Sequence, residues 1–92
     1  MTDSIIQTEK ECWFCGAQTD LERHHIFAGV ANRPISEKYG LTVWLCHEHH
    51  TGKNGAQYDK EKNLLLKRKA QEAFEETNSH ELWMSLIGKT YL

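Results

Sequence analysis

The sequence has little of what stabilises or addresses most small proteins. It holds no apolar run near the roughly 20 residues that cross a bilayer, and its N-terminus does not resemble a secretory signal. Its three cysteines are an odd number, which argues against a disulfide framework. There is one proline, Pro34, and no internal repeat or low-complexity tract. A basic excess is missing too: eleven Lys and Arg stand against thirteen Asp and Glu, a formal net charge of −2. Proteins that grip nucleic acid usually carry a basic face, because phosphate neutralisation supplies most of the affinity. The local cluster Lys60, Lys62, Lys67, Arg68 and Lys69 departs from this average. These absences point away from a membrane and toward a reducing cytosol, where thiols stay free.

Ninety-two residues make one domain, 1–92. A chain this short buries only about 60–65 % of the surface its unfolded form exposes, so a staple is expected. The material for one is present. Cys12-Trp13-Phe14-Cys15 and Cys46-His47-Glu48-His49-His50 spell C-x2-C, thirty intervening residues, then C-x2-H. Each short pair brings two soft ligands within reach of one ion, and three thiolates with one imidazole make a closed structural zinc site. Cys12, Cys15, Cys46 and His49 are the expected ligands. His47 competes for the last place, since a neighbouring residue on the same turn is hard to separate by spacing. On a helical turn Cys46 lies one turn from both His49 and His50, whose side chains diverge by about 100°, so one can face the zinc and the other a second site.

Residues 1–11 read as a loose arm or short edge strand, 12–55 as the metal-bearing core and 56–92 as a helical extension. Gly16 closes the first knuckle, where a tight turn calls for positive φ. Leu21 to Phe27 reads as a strand ended by Ala28-Gly29. A single helical turn capped by Ser36 and closed by Gly40 is expected next. Leu41 to Leu45, β-branched and aromatic, is a second strand expected to pair with the first. The chain then turns helically at Cys46 and breaks between Thr51 and Gly55. Asp59 is the candidate N-cap of a long helix to about Thr77, with Leu66, Ala70, Ala73 and Phe74 on one face. Ser79 caps a last helix through Ile87, with Leu82, Trp83, Leu86 and Ile87 inward and Gly88 ending it. The class is α+β: a zinc-stapled β-hairpin with a short helix, followed by two C-terminal helices.

A zinc knuckle, a strand carrying Leu-Glu-Arg-His-His-Ile, a second strand entering Leu-Cys and a histidine just after the second knuckle resemble the HNH (ββα-metal) nuclease superfamily. Small phage proteins carry similar segments, and the resemblance covers about Cys12 to Gly55. It implies a ββα-metal fold, with His25 as the general base that takes a proton from the attacking water. It also implies that His24 and His50 hold a catalytic divalent ion (Mg2+, Mn2+ or Ni2+) beside the structural Zn2+. Neutral imidazole titrates near neutrality, which suits a base. Adjacent strand residues point to opposite faces, however, so a site shared by His24 and His25 calls for a local irregularity.

Two departures bear on activity. Leu41 stands where the family often has an asparagine, with Asn32 or Asn54 as loop substitutes. His24 stands where the family often has aspartate, and imidazole in place of carboxylate favours softer ions than magnesium. Two expectations follow. One is a phage-type endonuclease hydrolysing DNA phosphodiesters, working in the host cytosol. The other is a zinc-stapled interaction protein, an inhibitor of the anti-CRISPR type, which docks on a host nuclease effector. The missing asparagine, the acidic balance and Glu72, Glu75 and Glu76 favour the second, since acidic groups can pair with a basic surface.

Overall fold

The computed structural model describes residues 3–53 and 55–92. Two strands, β1 (Leu21–His25) and β2 (Thr42–Cys46), form an antiparallel hairpin with α1 (Arg33–Tyr39) in the connection between them. The register runs from Leu21 opposite Cys46 to His25 opposite Thr42. Then follow α2 (His47–His50), α3 (Lys60–Thr77) and α4 (His80–Ile87). This is a small α+β domain. Among the described residues, no helix is long and apolar enough to cross a membrane.

The first strand ends two residues before the expected Phe27. Ile26 N–H still donates to Leu41 O (3.0 Å), but Phe27 turns instead to Ser36. The Ser36 hydroxyl accepts from Phe27 N–H (3.0 Å) and donates to Phe27 O (2.7 Å), satisfying both backbone groups off the ladder. Ser36 is therefore no helix cap. It lies buried inside α1, which begins after Asn32 and carries Pro34 in its first turn, where a missing N–H costs nothing. Gly40 ends α1 at φ 71, in the left-handed region expected of it.

Residues 3–11 form no strand but lie along β2. Ile5 N–H donates to Gly40 O (3.0 Å), and Trp44 N–H donates to Gln7 Oε1 (2.8 Å). The Ser4 hydroxyl reaches Thr42 O. Further along, Trp13 N–H donates to Trp44 O (2.9 Å), fastening the first knuckle to the middle of β2.

The core lies between the hairpin and α3–α4. Leu45, Leu66, Ala70, Phe74 and Trp83 are fully buried, with the Trp83 ring 5.3 Å from Phe27 and 5.4 Å from Phe74. On α3 the buried stripe is Leu66, Ala70 and Phe74 as expected, but Gln71 is buried where Ala73 is only half-buried. Gln71 serves the C-terminal tail: its Nε2 donates to Glu75 and Thr90, and its Oε1 accepts from Tyr91 N–H (2.7 Å). Of the four α4 residues expected inward, Trp83 is buried and Leu82, Leu86 and Ile87 are half-buried.

Candidate metal centre and adjoining cleft

The hairpin brings the two knuckles together at one end of the sheet. In the first, Gly16 adopts φ 77 and its N–H donates to Cys12 O (2.8 Å), closing the turn that presents Cys12 and Cys15. In the second, Cys46 both ends β2 and N-caps α2, so its thiol and the His49 ring share one helical turn. The ligand atoms of Cys12, Cys15, Cys46 and His49 all lie within 4.8 Å of one another. Cys15 Sγ and Cys46 Sγ are 3.8 Å apart. His49 Nδ1 is 3.7 Å from Cys12 Sγ and 3.2 Å from Cys46 Sγ. In a tetrahedral zinc site, bonds of ~2.3 Å to sulfur and ~2.0 Å to nitrogen set sulfurs ~3.8 Å apart and sulfur and nitrogen ~3.5 Å apart. The four residues fit a structural Zn2+ in both chemistry and spacing.

The electrostatics of the three thiols agree. Burial works to raise Cys12, but backbone N–H groups of Cys46, Cys15 and Phe14 and the Cys15 thiol outweigh it and hold Cys12 at about 6. Cys46 is pushed up, by burial first and then by the neighbouring thiols. One thiolate at this corner discourages the next, and a divalent cation removes that conflict.

The five other histidines separate. His47 is exposed, and its Nδ1 lies 3.2 Å from Glu22 Oε2, so it stands outside the four-ligand group. His50 Nδ1 donates to Glu22 Oε1 (2.7 Å). Hydrogen bonds from His50 and then His47 hold the Glu22 carboxyl below its usual range. A carboxylate only accepts, so in neutral His50 the proton sits on Nδ1 and the lone pair on Nε2. His24 is buried, its ring 5.2 Å from that of His50, and its Nε2 is buried without a hydrogen-bond partner among the described residues. Burial first, then the charges of His50, His25 and Lys67, lower His24 to about 4. It is a neutral imidazole at pH 7. His80 is exposed, against Glu75 at 3.1 Å.

The ladder through His24 and His25 is regular, so the two rings leave β1 on opposite faces. His24 meets His50, whereas His25 Nε2 donates to Glu37 Oε2 (2.8 Å) on α1. The regular strand counts against a site shared by His24 and His25, although both border a cleft of about 510 Å³ at the end of β1. It is lined by His24, His25 and His50 together with Arg33, Asn63 and Lys67. His25 also borders a wider hollow of about 890 Å³ with Arg23, Arg33 and Glu37. Of the two candidate substitute asparagines, Asn32 precedes α1 and does not line the cleft. Asn54 lies outside the described residues.

Asn63 escaped the sequence reading, and Lys67 entered it only as part of a local basic cluster. Their spacing of four was the available signal, since it sets both on one helical face. Glu37 gave no signal, because its approach to His25 depends on how α1 docks.

Comparison of the chain with protein-family models, with curated proteins and with solved structures gives no match in any of the three.

Proposed function

We propose that this chain is a metal-dependent phosphodiesterase of the HNH (ββα-metal) kind, acting on DNA. The observation that carries the reading is the buried Nε2 of neutral His24, unpartnered among the described residues, beside the His50 ring and in one cleft with His25. Buried polar atoms rarely go unmatched, and an imidazole nitrogen held so is suited to a metal. A divalent ion held by His24 and His50 would supply positive charge for the phosphate and the leaving oxygen.

The chain's own groups do the remaining work. Glu22 orients His50 through its Nδ1–H. His25 accepts the proton of the attacking water. Lys67 and Arg33 line the cleft as cations for the flanking phosphates. With imidazoles in place of carboxylates, Mn2+ or Ni2+ is favoured over Mg2+. The Cys12–Cys15–Cys46–His49 centre is the staple that holds the hairpin and α2 in this arrangement.

Plasmid nicking by the purified, zinc-loaded protein across Mg2+, Mn2+, Ni2+ and Zn2+ tests the reading. Metal-dependent cleavage should fall by about 10²- to 10⁴-fold in His25→Ala at matched zinc content. No cleavage in any metal by the folded protein sinks it. The cleft would then belong to a zinc-stapled binding module, and capture by a basic host nuclease effector becomes the next experiment.

A further inference from the structure

The general base of the proposed phosphodiesterase has a carboxylate partner. His25 Nε2 lies 2.8 Å from Glu37 Oε2, while Glu37 Oε1 accepts from Arg23 Nη1 at 2.9 Å. Arg23 and His25 stand two apart on β1, on one face of the sheet, and α1 lays Glu37 across both. The two oxygens of one carboxylate are thus divided between a guanidinium and an imidazole. Arg23, always a cation, anchors the first oxygen, and the second is left aimed at the ring.

The bond decides which ring nitrogen is basic. A carboxylate can only accept, so the proton in the His25–Glu37 bond sits on Nε2 and the lone pair of the neutral ring is on Nδ1. Among the described residues, Nδ1 has no hydrogen-bond partner, and His25 is partly open to the cleft that holds His24 and His50. An imidazolium formed at Nδ1 would keep its Nε2–H on the ionised carboxylate, which offsets the new charge.

Resting on the phosphodiesterase reading, we infer that Glu37 is a positioning residue, fixing His25 in the tautomer whose Nδ1 takes the proton of the attacking water. Leu41, just ahead of β2, is an apolar, buried side chain and cannot hydrogen-bond to the ring. The orienting group in this chain comes from α1, in the connection between the strands.

The test joins a spectroscopic arm to a kinetic one, both on full-length zinc-loaded protein. Ring ¹⁵N NMR of His25, read at a pH where the ring is neutral, should report a single Nε2–H tautomer in wild type and a mixture in Glu37→Ala. In the nicking assay, Glu37→Ala should lower kcat roughly 10- to 100-fold with little change in KM. The same substitution placed on His25→Ala should lower it no further. A residue that merely supports the fold would slow both backgrounds alike and leave the tautomer unmoved, and either result overturns the inference. Should Glu37→Ala fail to hold zinc, Glu37→Gln keeps the bulk and one acceptor oxygen; it should give a smaller kcat loss, and wild-type kcat would count against the proposal. Failure of the underlying reading looks different: wild type would not cut DNA in any metal.

Discussion

Burial keeps His24 uncharged well below neutrality, and that has a measurable sign. Its folded-state value is about 4, whereas an unfolded histidine titrates near ~6.5. The unfolded chain therefore binds the proton first. Stability from this residue is present above pH ~6.5 and is lost as pH falls through that value toward about 4. NMR titration should find the His24 ring neutral at pH 5, with chemical denaturation showing lower stability at pH 5 than at pH 7. A ring that titrates near 6.5 in the folded protein would contradict the burial. At this scale the sequence was most informative where the chemistry is local. The ligand spacing of Cys12, Cys15, Cys46 and His49 could be read directly, because each pair is made by one turn. Which ring met which carboxylate could not, because Glu22 and Glu37 come to His50 and His25 through strand register and helix docking.

Helix ends show the same division between local and distant causes. Asp59 caps α3, its Oδ1 accepting from Glu61 N–H (2.9 Å) and Lys62 N–H (3.2 Å). Ser79 caps α4 through Leu82 N–H (3.1 Å), and Gly88 closes it at φ 81. All three were legible, since a cap acts within four residues of itself. Asp59→Ala should cost about 1 kcal/mol and lower Tm by about 4–8 °C, without altering zinc content. Thermal melts followed by circular dichroism would check this, and an unchanged Tm would mean that packing alone sets the start of α3. Ser36 misled because its hydroxyl serves Phe27, nine residues away, and Gln71 because it serves Tyr91, twenty away. Neither bond leaves a periodic trace in the sequence.

For the whole molecule, the staple and the core are complementary. The apolar residues join the hairpin to α3 and α4, while the Cys3His group joins the two ends of a thirty-residue excursion. A domain of this size has little stability to spare, and binding of a structural zinc is folding free energy. Chelation should therefore release one Zn2+ per chain and collapse the near-ultraviolet signal of the tryptophans. Retention of that signal in metal-free protein would show that the core suffices without the staple. The segment strapped along β2 adds a consequence for the metal-free state. Besides its own bonds to Gly40, Thr42 and Trp44, it is continuous with the first knuckle, which is tied by Trp13 N–H on Trp44 O, so losing a zinc held there would loosen the strap at that end. The backbone of β2 that it covers then becomes an open edge, a template on which another copy can pair. Zinc here would act as a guard against self-association as well as a staple, and light scattering should rise with chelator in proportion to protein concentration.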